Sequence, residues 1–108
     1  METTMDKWHK VATLADIPFQ SSRVVKTSEG DIALFRTGGG AVFALQDRCP
    51  HKGGPLSQGM VCGNQVVCPL HAWNIQLENG EAVAPDTGCA CTYPVRVEGE
   101  SVYLALAA

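Results

Sequence analysis

Two short segments, each containing one cysteine and one histidine, most constrain what this chain can fold into. Cys49 and His51 are separated by one proline, and Cys68 and His71 are separated by Pro-Leu. Sixteen residues lie between His51 and Cys68. Thiolate and imidazole are metal ligands, and two loops that each offer one of each can reach a single inorganic centre from opposite sides. The sequence therefore predicts a metal or iron–sulfur site formed by two loops.

The residue types alone leave two kinds of centre open. Two cysteines and two histidines satisfy the tetrahedral preference of zinc. Structural zinc sites more often pair like ligands, as C-x-x-C and H-x-x-x-H, whereas each segment here mixes the two types. The mixture suits a [2Fe-2S] cluster in which two histidines replace two cysteines on one iron. We therefore favour the cluster; colour and a paramagnetic signal after reduction would distinguish it from zinc.

The spacing C-x-H, sixteen residues, C-x-x-H resembles the signature of Rieske [2Fe-2S] proteins. Flanking residues narrow the resemblance to the small subunit of assimilatory NAD(P)H-dependent nitrite reductase, over about residues 8–106. The similar stretches are CPHKGGPL at 49–56, CPLHAWNI at 68–75, GEA at 80–82, PDTGC at 85–89 and TYPV at 92–95.

The resemblance implies a ligand set and a fold. Cys49 and Cys68 would bind one iron, and His51 and His71 the other, which is then the iron that accepts the electron. The implied fold is an all-β, Rieske-like antiparallel β-sandwich or partly open barrel with a cluster-binding loop insert at about residues 47–73. The whole chain, 1–108, would form a single Rieske domain with one cluster.

The resemblance also implies a partner and a role. Nitrite reductase small subunits accompany a large subunit that carries flavin, iron–sulfur and sirohaem groups and reduces nitrite to ammonium in nitrate assimilation. The chain would then be an electron-transfer subunit without catalysis of its own. We find no nucleophile–base pair, paired carboxylates or nucleotide fingerprint that would support catalysis by the chain alone.

Two other functions stay open. A free-standing Rieske-type ferredoxin that supplies an aromatic-ring-hydroxylating dioxygenase would carry almost the same motif. Ala72, where many such ferredoxins have glycine, and the 85–95 ending favour the nitrite reductase subunit without deciding the question. A redox-sensing or purely structural module has no positive support in the sequence.

Departures from the respiratory Rieske proteins predict a low reduction potential. Those proteins carry an extra cysteine in each loop, and Gly54 and Leu70 occupy the matching positions here. They also place a serine and a tyrosine near the cluster sulfurs, where this chain has Trp73 and Ile75. With fewer hydrogen-bond donors, the negative charge of the reduced cluster is less stabilised. We therefore expect a reduction potential at the low end of the Rieske range of about −150 to +300 mV.

The remaining pattern is that of an all-β protein. Loops rich in Cys, Pro, Gly and His fill most of 47–73, and we expect them to have no core of their own and to depend on the metal for order. No amphipathic helix is predicted, only a single helical turn at 14–18. Strands are predicted at 8–12, 23–27, 31–36, 41–46, 65–68, 74–77, 81–83, 93–98 and 102–106.

Composition excludes several classes of function. The net charge is −3 and no basic stripe is present, so nucleic-acid binding is not expected. No apolar run approaches the ~20 residues needed to cross a membrane, and residues 1–6 do not resemble a secretory signal. The five cysteines are an odd number, and Cys62, Cys89 and Cys91 are predicted to be buried or free thiols. We therefore expect a cytoplasmic protein.

Overall fold

The computed structural model describes residues 6–27, 30–48, 55–68, 74–83 and 88–107. Within these ranges the chain forms ten strands and two short 3-10 helices, with no α-helix. The 3-10 helices are Leu14–Asp16 and Leu56–Gln58. The strands are β1 Asp6–Thr13, β2 Ser21–Thr27, β3 Gly30–Arg36, β4 Val42–Gln46, β5 Met60–Cys62, β6 Gln65–Val67, β7 Asn74–Gln76, β8 Thr92–Tyr93, β9 Val95–Glu98 and β10 Ser101–Ala107.

Across the described ranges the strands form three antiparallel sheets that do not close into a barrel, which confirms the predicted all-β class. Their strand orders are β1-β10-β9, β2-β3-β4-β8 and β5-β6-β7. Most predicted strands are found within a few residues of their expected bounds. Two predictions differ: β5 was not expected, and 81–83 forms only isolated bridges, Glu81 to Cys89 and Ala82 to Ile75.

Strand β3 is buried on both faces and joins two hydrophobic cores. Ile32 and Leu34 belong to one core, whereas Ala33 and Phe35, on the opposite face, belong to the other. All four side chains are completely buried. The central sheet β2-β3-β4-β8 therefore lies between the other two sheets.

The first core packs the central sheet against β5-β6-β7, and the second packs it against β1-β10-β9. The first core contains Ala33, Phe35, Leu45, Leu56, Val61, Val66, Cys68, Ile75, Leu77 and Ala90. The second contains Ala12, Ile17, Ile32, Leu34, Ala44, Val102 and Leu104.

The described part of 47–73 packs into the first core, which it shares with strands β3 and β4 of the central sheet. Leu56, Val61, Val66 and Cys68 are buried at 0–4% exposure in the first core. Val61 and Val66 point inward from the β5–β6 hairpin, because alternate residues of a strand face the same side. Apolar packing against the central sheet therefore contributes to the order of this part of the region, beside any contribution from a bound cluster.

The single helical turn predicted at 14–18 is the first 3-10 helix. Thr13 donates from its backbone N–H and its hydroxyl to Oδ2 of Asp16, both at 3.1 Å. The guanidinium of Arg36 donates to the carbonyls of Leu14 and Ile17 at 3.0 and 3.1 Å, and the Leu14 carbonyl also accepts the backbone N–H of Ile17 at 3.0 Å. No helix in the described part of the chain is long and apolar enough to span a bilayer.

Candidate metal centre

One of the four predicted ligands, Cys68, lies within the described residues. Cys49, His51 and His71 lie outside them, as does Trp73, two residues after His71. Among the described residues no group of three or more His, Cys, Asp or Glu side chains is placed to hold a metal. The site is therefore characterised by Cys68 and by the residues that anchor the ends of both loops.

Cys68 follows directly on β6 and carries a free, buried thiol. Its side chain is only 2% exposed and packs in the first core with Val66 and Leu56. A buried cysteine in apolar surroundings is chemically inert unless a metal binds its thiolate. Position and burial thus suit a ligand that approaches a centre from the core side.

The second loop is closed by backbone hydrogen bonding between β6 and β7. The two strands pair Val67 with Asn74, Val66 with Ile75 and Gln65 with Gln76. Residues 68–73, which include both Cys68 and His71, therefore form the connection of an antiparallel hairpin. The strand ladder fixes both ends of this connection.

A second hairpin supports β6 from its other edge. Cys62 pairs with Gln65 across the two-residue turn Gly63-Asn64, in which Gly63 has a φ of 57°. A glycine followed by asparagine between two short apolar runs is a recognised hairpin signal. This signal was available in the sequence and would have predicted β5.

Gly59 allows the segment after the second 3-10 helix to lie against β6. A Cβ at this position would stand 2.0 Å from the carbonyl oxygen of Val67 and 3.1 Å from the side chain of Val66. Only a residue without Cβ fits so close to a backbone oxygen. The close contact holds β6 in place one residue before Cys68.

The first loop is closed by side chains. One carboxylate oxygen of Asp47 accepts from the backbone N–H of Ser57 at 2.7 Å, and the other accepts from the Ser57 hydroxyl at 2.8 Å. The hydroxyl of Ser22 in β2 donates to the carbonyl of Ser57 at 2.8 Å. These bonds join the two ends of 48–56, the segment that contains Cys49 and His51. The sequence interpretation missed these residues, because no spacing rule relates an aspartate to a serine ten positions later.

The segment 88–91 runs beside the start of the first loop. The backbone N–H of Gln46 donates to the carbonyl of Cys91 at 2.8 Å, and Ala90 is buried in the first core.

Cys62, Cys89 and Cys91 are free, as predicted, and all three are exposed rather than buried.

The donor set fits a mixed-ligand iron–sulfur cluster. A buried free thiol at the end of β6 and two loops with anchored ends suit a centre enclosed between loops. Two cysteines and two histidines in those loops match what a Rieske cluster needs. Comparison with known proteins agrees with this chemistry, since a sequence model of the Rieske [2Fe-2S] domain matches residues 7–94.

Among proteins of known role, the chain is similar to dioxygenase ferredoxins. It is 39% identical over 95 residues to the 3-phenylpropionate/cinnamic acid dioxygenase ferredoxin subunits of Shigella boydii and Escherichia coli. The match covers 86% of this chain and 88% of each relative.

Solved structures with the same fold include both candidate kinds of protein. A chain in the complex of reduced oxygenase and oxidized ferredoxin of carbazole 1,9a-dioxygenase is 28% identical, with a TM-score of 0.81 over 91% of this chain and 92% of that one. A protein provisionally designated the small subunit of an NADPH nitrite reductase is 25% identical, with a TM-score of 0.79 over 91% and 97%. A Mycobacterium tuberculosis protein provisionally designated an NADH-dependent nitrite reductase small subunit has a TM-score of 0.86 over 97% and 99%, and at 23% identity it shows the fold alone.

The match of the family model over most of the chain, the 39% identity to Rieske ferredoxins and the shared fold lead to one conclusion. This chain belongs to the Rieske [2Fe-2S] family, whose domain binds a [2Fe-2S] cluster and carries electrons in oxidoreductase systems.

Proposed function

We propose that Cys49 and Cys68 bind one iron of the cluster and that His51 and His71 bind the other, within a loop region at about 47–73 of a single domain. The match to the Rieske domain over residues 7–94, which include all four residues, supports this assignment, as do the burial and free state of Cys68. When bound, the cluster supplies a one-electron acceptor and donor. The chain's own residues join the ends of the two loops and bury Cys68.

We further propose that the chain is a Rieske-type ferredoxin that delivers electrons to an aromatic-ring-hydroxylating dioxygenase. The single observation that carries this proposal is the 39% identity to dioxygenase ferredoxin subunits over 86% of the chain. Those relatives are chains of nearly the same extent, since 88% of their length is matched. The oxygenase–ferredoxin complex with a similar chain adds structural support at 28% identity.

The small subunit of an NAD(P)H-dependent nitrite reductase, which the flanking motifs favoured, becomes the second candidate. It is supported by the TM-score of 0.79 to a protein of that designation at 25% identity. Its partner would be the large subunit with flavin, iron–sulfur and sirohaem groups, and its reaction the reduction of nitrite to ammonium. We rank this function second because the sequence identity that supports it is 25%, against 39% for the dioxygenase ferredoxin subunits.

A reducing compartment suits the cysteines in either role. Cys62, Cys89 and Cys91 are exposed and free, and thiols of this kind persist where glutathione and thioredoxin keep them reduced. We therefore place the protein in the cytoplasm.

A reconstitution experiment separates the two functions. The holoprotein is mixed with a purified dioxygenase and its ferredoxin reductase, NADH and 3-phenylpropionate, and hydroxylated product is measured. The Cys68→Ser variant is the control, since loss of the proposed ligand should abolish transfer. In parallel, the tagged chain is isolated from cells grown on nitrate and assayed for nitrite-dependent oxidation of NAD(P)H.

Product formation that depends on the holoprotein would support the ferredoxin. A co-purifying sirohaem protein with nitrite-dependent activity, and no transfer to the dioxygenase, would refute it in favour of the nitrite reductase subunit.

A further inference from the structure

The two loops that carry the proposed ligands are held closed by different means. The second loop, 68–73, is the connection of the β6–β7 hairpin, so main-chain pairing from Val67 to Asn74 closes it. The first loop, 48–56, leads from the end of β4 to the first residue of the second 3-10 helix, and β4 and that helix do not pair with each other as strands. Its ends are joined instead through the side chain of Asp47.

Asp47 is itself fixed to the central sheet. Its backbone N–H donates to the carbonyl of Asp31 in β3 at 3.0 Å, and it follows directly on β4. Its half-buried carboxylate is therefore presented from a rigid strand end. Each oxygen accepts one hydrogen bond from Ser57, at 2.7 and 2.8 Å, so the pair is bidentate.

Ser57 is fixed in turn to another strand of the same sheet. Its carbonyl accepts the hydroxyl of Ser22 in β2 at 2.8 Å, and its neighbour Leu56 is completely buried in the first core. Hydrogen bonds that involve a carboxylate are roughly twice as strong as neutral ones. Hydrogen bonds among Asp47, Ser57 and Ser22 thus connect both ends of the first loop to the central sheet.

We propose that Asp47 is a positioning residue that, through Ser57, joins the two ends of the first cysteine–histidine loop and so limits the rate at which a bound cluster is lost. The proposal rests on the ligand assignment made above. Closing a loop of this length costs conformational entropy, which the ligands alone would otherwise have to offset each time the loop opens. A clamp at the base of the loop keeps Cys49 and His51 near their binding positions.

The test measures cluster loss from the isolated holoprotein. Wild type and the Asp47→Ala and Ser57→Ala variants are mixed with excess EDTA, and the decay of visible absorbance is followed. If the cluster is released while the Asp47–Ser57 pair is broken, the release rate is proportional to the population in which that pair is broken, so weakening the pair should accelerate release. We expect roughly ten- to hundredfold faster loss for Asp47→Ala, because two charge-assisted bonds are removed. Ser57→Ala should have a smaller effect, since its backbone N–H still donates to Asp47.

Asp31→Ala is the matched control. Asp31 is also a carboxylate on the central sheet, exposed and paired with Lys26 at 3.6 Å, and its substitution leaves the backbone carbonyl that accepts from Asp47. We expect this variant to lose the cluster at the wild-type rate.

Amide hydrogen exchange separates the clamp from general destabilisation. In the Ser57→Ala and Asp47→Ala proteins, exchange should rise at 48 and 57 and stay unchanged in β10, which lies in another sheet. The proposal would be overturned if both variants released the cluster at the wild-type rate, or if Asp31→Ala accelerated release as much as they do. An equal rise of amide exchange in β10 would also overturn it. If Asp47→Ala does not accumulate as holoprotein, Ser57→Ala decides the outcome.

The ligand assignment is tested separately by Cys49→Ala. Retention of a native cluster in that variant would refute the assignment. If Cys49→Ala loses the cluster while Asp47→Ala and Ser57→Ala release it at the wild-type rate, only the proposed role of Asp47 is refuted. No partner protein takes part in these measurements, so the identity of the electron acceptor does not affect them.

Discussion

Substitution of Gly59 by alanine should damage the site from outside the ligand loops. The backbone of Gly59 has φ −82° and ψ 173°, an ordinary extended conformation that alanine adopts freely. Its added Cβ, however, would lie 2.0 Å from the carbonyl oxygen of Val67 and 3.0 Å from the carbonyl carbon. The penalty is therefore steric alone, and the atoms it meets belong to a backbone that cannot rotate away.

The size of the penalty follows from the geometry. The backbone at position 59 and the Val67 carbonyl must separate by about 1 Å before the distance from the added Cβ to the carbonyl oxygen reaches 3.0 Å. Real Cβ atoms essentially never make contacts shorter than that. Overpacking of a well-packed site costs about 1–3 kcal/mol, and a backbone obstacle favours the upper part of that range. For a domain of this size, each kcal/mol lowers Tm by roughly 4–8 °C, so we expect a fall on the order of 10 °C.

Thermal unfolding of the Gly59→Ala protein, followed by circular dichroism, checks the stability, and the ratio of iron to protein checks the site. Because Val67 directly precedes Cys68, the displaced strand should also lower iron content. Gly39→Ala is the control, since its Cβ would meet only the Thr37 hydroxyl at 3.9 Å, and its effect should stay within about 0.5 kcal/mol. A Gly59→Ala protein with the Tm and iron content of wild type would refute the reasoning.

Three further predictions concern other parts of the molecule. The pKa of Asp16 should lie below its ordinary value of 3.8, because the carboxylate accepts hydrogen bonds from the backbone N–H and then the hydroxyl of Thr13. A depressed pKa means that its contribution to stability is present at neutral pH and is lost as the pH falls through the folded pKa; a carboxyl titration by NMR at or above 3.8 would contradict this. Arg36→Lys should lower the free energy of unfolding in urea by about 1–2 kcal/mol, because an ammonium cannot keep both carbonyl bonds and the guanidinium stack 4.0 Å above the Phe19 ring. His71→Cys should lower the reduction potential on the order of 100 mV, because a thiolate adds negative charge where an imidazole added none; an unchanged potential in spectroelectrochemistry would exclude His71 as a ligand.

The parts of the fold that the sequence predicted well are governed by local rules. Arg23 to Thr27 and Asp31 to Arg36 are rich in β-formers, and they form a hairpin with Thr27 paired to Gly30. In the C-terminal hairpin, the alternation of Val102 and Leu104 with Tyr103 places the first two in the second core. The pattern of cysteines and histidines likewise identified the family, because few sites use two of each in mixed pairs.

The parts that it could not predict depend on contacts between distant segments. Nothing in the sequence near Leu56 and Val61 shows that they pack against β3 and β4, which come earlier in the chain. The bidentate pair of Asp47 and Ser57 is equally non-local, since it forms only once β4 and the second 3-10 helix meet. The placements of Cys49, His51 and His71 lie outside the described residues and stay predictions.

The burial of β3 on both faces decides where this protein can be divided for engineering. Leu34 and Phe35 are adjacent along one strand but serve different cores, and Ala44 and Leu45 do the same in β4. A transplanted segment from residue 47 to 73 would leave Phe35 and Leu45 facing partners that had not been selected to fit them. A chimera between two Rieske proteins should therefore exchange β3 and β4 together with the loops. The transplanted segment then keeps the core residues against which it packs in its own protein.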